Sequence, residues 1–538
     1  MRRTVSVVGV VAALGAASCG GPDVAVQRAD RPTAGPQTST SGPSTVPTTT
    51  TTTTANLPTA TTTLPTTTTV STATTTVSSA PVAAREPELG LGDPLFPELG
   101  SSDVDVESYV VELTVDAEPG PVAATVTIDA IVPVGVTALP LDATALTVER
   151  VEIDGAEASF ATTASELVID LPAQRDDKVS AVVDYSFDPA AAISLDAIPS
   201  GWFGGVEGAA SFVLNEPDGA NAWLPSNDHP SDKAVWRFEI TTPAGTVAAA
   251  NGDLVSRPTI AADPWIWVED EPMATYLVQL IVGDYEIVED DAMPSSDGDA
   301  IDVTHVVPAG RLERFGPALE SVGPQLRFFE ERFGPYPLER YGLAFVSGLS
   351  GVALETQGRS MFGADDFPAA TDASTTRTDA PLGLRQQLLL AHELAHQWFG
   401  NAVSPADWSD IWLNESFATY SQWLWLDDVG LQPLERHAEQ VLRLRGSDGG
   451  GSTGEPTSES MFGFLSYEGG AVVVHALRRE LGDAAFFALL REWIDRYSGT
   501  SQSTRSFVDL AEEVSGRDLD PFFETWLYAD ALPDAYPT

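Results

Sequence analysis

Cysteine is almost absent: Cys19 stands alone among 538 residues, so no intrachain disulfide can form and no thiolate metal site can be built. Basic side chains are also scarce. Lys and Arg number 28 against 78 Asp and Glu, a formal net charge of -50. That balance excludes a nucleic-acid binder, which needs a basic surface, and adhesion to anionic lipid through a basic patch. Two readings of the acidity stand: solubility of an exported protein, and an acidic mouth that attracts cationic ligands. No apolar run after the first twenty residues is long enough to span a bilayer, which takes about 20 such residues. Apolar residues are otherwise plentiful, 43% with 12 Trp and 22 Phe, enough for sizeable cores. The length allows two or three folded units.

The first 19 residues read as an export signal. Arg2 and Arg3 are followed by an apolar run from Thr4 to Ser18 that is too short to span, and then by Cys19. Ala16-Ala17-Ser18-Cys19 resembles a bacterial lipoprotein signal, with Cys19 as the lipidation site. The alternative is an ordinary secretory signal and a soluble secreted product. Residues 20–100 form a linker rich in Thr, Pro, Ser and Ala, including the run Thr48 to Thr54. Such a composition buries too little apolar surface to offset its ordering entropy. This predicts a disordered stalk holding the folded part away from the cell membrane.

The remainder divides by period. Residues 101–292 show alternation in short runs, as in Val111, Leu113 and Val115 against Glu112 and Thr114, which predicts an antiparallel β domain. Residues 293–538 turn helical. Leu319 to Phe333, Leu384 to Phe399, Asn414 to Leu426, Leu431 to Leu444, Gly470 to Leu481, Ala484 to Tyr497, Ser506 to Val514 and Asp520 to Leu527 read as helices, with a short strand from Tyr341 to Val346. The fold class expected is multidomain α+β.

The chemistry concentrates in His392-Glu393-Leu394-Ala395-His396. Residues four apart share one helix face, so both imidazoles can address one ion with Glu393 beside it. Hydrolytic zinc sites take three protein ligands, often two His and one Glu, and leave a position open. Glu415, in Trp412-Leu413-Asn414-Glu415, supplies the third if its helix packs back on the first. His229, His305, His437 and His475 lack partners at metal spacing and read as structural. Trp412, Trp423 and Trp425 read as packing residues.

These motifs, His392 through Asn401 and Trp412 through Glu415, resemble those of the gluzincin zinc aminopeptidases typified by aminopeptidase N. The resemblance runs from about Glu107 to Tyr528. It implies an N-terminal β-saddle, a thermolysin-like catalytic domain and one zinc ion per chain, in a short form without the large C-terminal helical domain of many relatives. It also implies Glu393 as general base. Val352-Ala353-Leu354-Glu355-Thr356 occupies the place of the family's Gly-Ala-Met-Glu-Asn motif, whose Glu grips the substrate's free amine. Its Gly and Asn are replaced here, so contacts to the substrate backbone are expected to differ. Glu216 matches a second amine-gripping position, and Tyr467 the tyrosine that steadies the oxyanion, although Gly469 replaces the family's usual basic residue. The function so implied is release of N-terminal residues from peptides at the outer face of the cell membrane. Three alternatives remain: a thermolysin-like endopeptidase, a binding protein that kept the fold, and hydrolysis of a non-peptide substrate as in the family's epoxide-hydrolysing branch.

Overall fold

The computed structural model describes residues 83–116, 120–191, 193–194, 199–204, 210–260, 262–367, 382–445 and 451–538. Cys19, the signal and the linker up to residue 82 lie outside the described residues.

Alternation builds the first half. The largest sheet has eight strands in the order Asp253–Ser256, Trp265–Ala274, Lys233–Thr241, Asp105–Thr114, Val122–Ile131, Lys178–Phe187, Leu146–Ile153 and Ala156–Glu157. Strand Asp105–Thr114 buries Val106, Tyr109, Val111 and Leu113, and a bulge between Val106 and Ser108 absorbs the one break in its period. Smaller sheets of five and three strands complete this half. One pairing departs from the antiparallel expectation: Asp105–Thr114 and Lys233–Thr241 run parallel, Val111 opposite Phe238. These strands are distant in sequence, so no hairpin dictates their direction.

Residues 83–100, assigned by composition to the linker, are instead packed on the body. Asp93 is the reason. Its Oδ1 accepts the Leu95 and Phe96 amides and its Oδ2 the Trp408 amide at 2.6 Å.

The second half begins on a six-stranded sheet: Tyr285–Pro294, Ala300–Pro308, Leu343–Val346, Ser360–Gly363 and the antiparallel edge Ala353–Leu354, with Arg340–Tyr341 beside Ala300–Pro308. Its middle strands are parallel and buried on both faces. Ala344, Val346 and Met361 enter the apolar core of the β half, while their neighbours Leu343, Phe345 and Phe362 enter a second core among the helices. Period two thus places this sheet between two cores.

Nine α-helices follow among the described residues: α1 (Leu312–Leu319), α2 (Val322–Phe333), α3 (Leu384–Ala395), α4 (Trp412–Asp428), α5 (Leu434–Arg445), α6 (Gly470–Leu481), α7 (Asp483–Tyr497), α8 (Thr504–Ser515) and α9 (Asp520–Trp526). Two differ from the periodic reading. The helix expected from Leu319 to Phe333 begins at Val322, and α1 before it is an additional helix. The one expected to reach Phe399 ends at Ala395, after which the Asn401 and Ala402 amides bond the carbonyls of His396 and Gln397 and the chain reverses at Gly400, φ +125°. No described helix is long and apolar enough to cross a membrane.

Candidate metal centre and peptidase site

The helix that carries both imidazoles is built from strong helix formers, Leu-Arg-Gln-Gln-Leu-Leu-Leu-Ala, and buries Leu389, Leu390, Leu394 and Ala395. Helix α4 is buried on all sides from Trp412 to Leu426, so it runs through the core rather than over it. Packing α4 on α3 brings Glu415 between the histidines. His392 Nε2 lies 3.1 Å from Glu415 Oε2 and 3.1 Å from His396 Nε2, and His396 Nε2 lies 3.5 Å from the same carboxylate oxygen.

Those spacings test the donor set against zinc. Four ligands at 2.0–2.1 Å around a tetrahedral centre stand about 3.3 Å apart, and the three atoms here match. His396 also donates from Nδ1 to the Phe399 carbonyl at 3.0 Å, which leaves Nε2 as the free lone pair. The field favours a cation. Burial depresses the His396 ring, yet Glu355, Glu415 and Glu393 lift it to about 10. Burial raises Glu415, but the His396 and His392 rings together bring it down to about 2.

Around the triad stand the other acids singled out from the sequence. Glu393, one residue after His392, is buried, and its carboxyl is pushed well up by that burial and by Glu355 and Glu415 against the pull of His396. Glu355 follows the edge strand Ala353–Leu354, and its carboxylate lies within 4.8 Å of ligand atoms of Glu393 and His396. Glu216 comes from the β half. Burial raises its carboxyl well above the ordinary range, with Glu355, Glu415 and Glu393 adding to the shift. One oxygen each of Glu216 and Glu355 is buried without a partner. Tyr467 sits in the π-helical turn Leu465–Gly469, donates to Glu415 Oε1 at 2.8 Å and stacks on the His392 ring at 5.8 Å. Burial and Glu415 raise its phenol, so the hydroxyl remains a donor.

Several neighbours carry no role in the sequence reading. Gln397 Nε2 and Asn401 Nδ2 both donate to the Glu355 carbonyl, at 2.8 and 2.7 Å. Gln397 Oε1 accepts the Gly358 amide, closing the loop that holds Glu355. Tyr276, in a stretch expected to be strand, lies in a short 3₁₀ turn and donates to the Gly400 carbonyl at 2.7 Å. The spare histidines are occupied elsewhere: His305 Nδ1 accepts the Leu343 amide, and His475 Nδ1 meets the Tyr420 hydroxyl. His229 lies with Asp93 and Asp407, but its Nδ1 accepts the Ser231 amide, which assigns the proton to Nε2 facing Asp93. That cluster is a hydrogen-bonded staple.

The Peptidase family M1 domain matches residues 317–526, a span that contains the two histidines, Glu355, Glu393, Glu415 and Tyr467. Residues 317–526 thus resemble an M1 peptidase domain. A mutant of an M1 zinc metallopeptidase from Deinococcus radiodurans bound to a Tyr-Ser-Ala substrate is similar over 84% of this chain and 99% of its own, with 28% identity and a TM-score of 0.72. Among curated M1 relatives, Aminopeptidase M1-A of Oryza sativa is 29% identical over 59% of this chain and 37% of its own length. Endoplasmic reticulum aminopeptidase 1 of Homo sapiens is 29% identical over 56% and 33%. The chain thus spans about a third of the length of the curated relatives it matches. Its two-part architecture, sheet then helices, is that of the M1 structures, and zinc is the metal of this family. His392, His396 and Glu415 are the residues here that fit it.

Proposed function

We propose that this chain is a zinc aminopeptidase that removes single residues from the free N-termini of peptides. One observation carries the reading: Glu355, beside the metal triad, and Glu216, near enough to feel Glu355, Glu415 and Glu393, each bury a carboxylate oxygen without a partner. Carboxylates left so are costly unless a cation joins them. A peptide's α-ammonium is such a cation, and gripping it beside the metal sets the cut one residue in. The aminopeptidases among the relatives support the same class.

Zinc held by His392, His396 and Glu415 would supply Lewis acidity, acidifying water and polarising the scissile carbonyl. Glu393, next to His392 on the same helix, takes the water proton and passes it to the departing amine. The Tyr467 hydroxyl, kept protonated, donates to the developing oxyanion. Glu355 and Glu216 hold the amine and orient the first residue.

The test compares matched free and N-acetylated peptides in wild type and Glu355→Ala. Wild type should strongly prefer the free peptide. The mutant should lose that preference, with kcat/KM on free peptides falling by roughly 2–5 kcal/mol in transition-state terms. Equal cutting of both peptides by wild type with internal fragments released would make the chain an endopeptidase.

Display is part of the proposal: Cys19 is lipidated, and the Thr- and Pro-rich segment holds the enzyme outside the cell. The native protein should partition into detergent and Cys19→Ala should not, since each buried CH₂ of a lipid contributes about 0.8 kcal/mol. Equal solubility of the two forms would leave a secreted soluble enzyme.

A further inference from the structure

The turn after the second histidine is gripped from the β half. Its carbonyls at Gly400, Asn401 and Ala402 accept hydrogen bonds from two β-half side chains, beside the Ser404 hydroxyl on Gly400 O and the Gly499 amide on Ala402 O. Tyr276 donates to Gly400 O at 2.7 Å, and Lys233 Nζ donates to Asn401 O at 2.7 Å and Ala402 O at 3.2 Å. From the same turn Asn401 and Gln397 reach the Glu355 carbonyl. A continuous set of short hydrogen bonds therefore leads from Lys233 to the backbone of Glu355.

Lysine is rare in this chain. Of 28 basic residues 26 are arginine, and the two lysines are Lys178 and Lys233. Lys178 is a surface residue paired with Glu107. Lys233 forms no ion pair among the described residues, and burial pushes its ammonium down to about 7. A charged head in such a place needs a reason, and two adjacent carbonyls just beyond the C-terminal end of α3 provide one. Both carbonyls accept the same ammonium. A compact ammonium can bridge both, whereas a planar guanidinium fork is shaped for carboxylates and phosphates.

We propose that Lys233 is a positioning residue for substrate-amine recognition: by clasping Asn401 O and Ala402 O it holds the Asn401 and Gln397 amides on Glu355 and so fixes where the amine-gripping carboxylate sits. The proposal rests on the aminopeptidase reading above. Lys233 touches neither substrate nor metal. Its removal should shift Glu355 by a fraction of an ångström to an ångström, a displacement of the kind that costs a site about 100-fold.

The test uses the zinc-loaded full chain with a free tripeptide and its des-amino analogue, which lacks only the α-amine. Wild type should favour the free peptide. Lys233→Met should keep its zinc by metal analysis but lower the free to des-amino ratio of kcat/KM by about 10- to 100-fold, mainly through KM, the loss expected for charge-assisted hydrogen bonds. Lys233→Arg, which returns donors to the turn, should recover only part of the ratio, and Lys178→Met should leave it unchanged. A Lys233→Met enzyme with the wild-type ratio, or one that loses the same factor on both peptides, or one that loses zinc, overturns the proposal. Should Lys233→Met not accumulate, a wild-type ratio in Lys233→Arg overturns it equally. A wild type that cuts both peptides alike overturns the aminopeptidase reading, and this proposal with it.

Discussion

Gly470 makes the closest contact in the support of the tyrosine turn, and filling it should damage the site from a distance. It opens α6, where a Cβ would stand 1.7 Å from Ser416 Oγ and 2.6 Å from Ser416 Cβ. Ser416 follows Glu415 on α4, and its hydroxyl donates to the Ser466 carbonyl at 2.7 Å, one residue before Tyr467. In Gly470→Ala the overlap has to be relieved by moving α6 or rotating Ser416. Overpacking of this kind costs about 1–3 kcal/mol, and a lost Ser416 to Ser466 bond adds about 1 kcal/mol. Alanine returns at most about 1 kcal/mol of helix preference. The clash should therefore win by about 1–3 kcal/mol in urea unfolding, with kcat reduced as Tyr467 and Glu415 shift. The same substitution should be graded by its partner. Against Ser416→Ala it should still cost stability, since the two Cβ atoms would remain 2.6 Å apart. Against Ser416→Gly it should be neutral or stabilising. A Gly470→Ala protein as stable as wild type, or one equally damaged in the Ser416→Gly background, would refute the packing argument.

Glu393→Gln should retain zinc by metal analysis while losing about 10²–10⁴-fold in turnover, the usual worth of a positioned acid and base; a near-normal rate would show that another group moves the proton. Thermal stability should rise as pH falls from about 8 to about 6.5. Burial raises Glu166, Asp232 and Glu468 to about 7 and Glu269 to about 8. Acids with raised folded values contribute stability that is lost as pH climbs through those values. Lys233, lowered to about 7, acts in the opposite sense but is one group against these four and Glu271, which burial also raises to about 7. Below about 6.5 the gain should flatten, because burial holds His305, His437 and His475 at about 4 in the folded chain. A melting temperature that falls steadily from pH 8 to 6.5 would contradict this reading.

The legible parts of the sequence were those whose geometry is local. Residues four apart on a helix share a face whatever the tertiary fold, so the placement of His392 and His396 is visible from spacing alone. Alternation in the strand Asp105–Thr114 survives because a bulge keeps its apolar residues facing the core. What stayed hidden depends on approach from afar. Nothing near Lys233 in sequence points to the carbonyls of Asn401 and Ala402, which lie 168 and 169 residues on. The parallel pairing of Asp105–Thr114 with Lys233–Thr241 is likewise set by packing between distant segments. The segment 83–100 looks like linker by composition, yet the Asp93 carboxylate finds three backbone amides, one of them in the helical half. Gln397 and Asn401 stood within the motif itself, but an amide's partner is not written in its neighbours.

The central claim, a metal-dependent enzyme that counts one residue from a free amine, is tested most directly by following the products of a single unblocked decapeptide by mass spectrometry. Zinc-loaded protein should yield a ladder of peptides, each one residue shorter at the N-terminus. A chelator should stop the ladder and added zinc restart it. Internal fragments appearing before the first trimmed product, or a ladder indifferent to the chelator, would contradict the account.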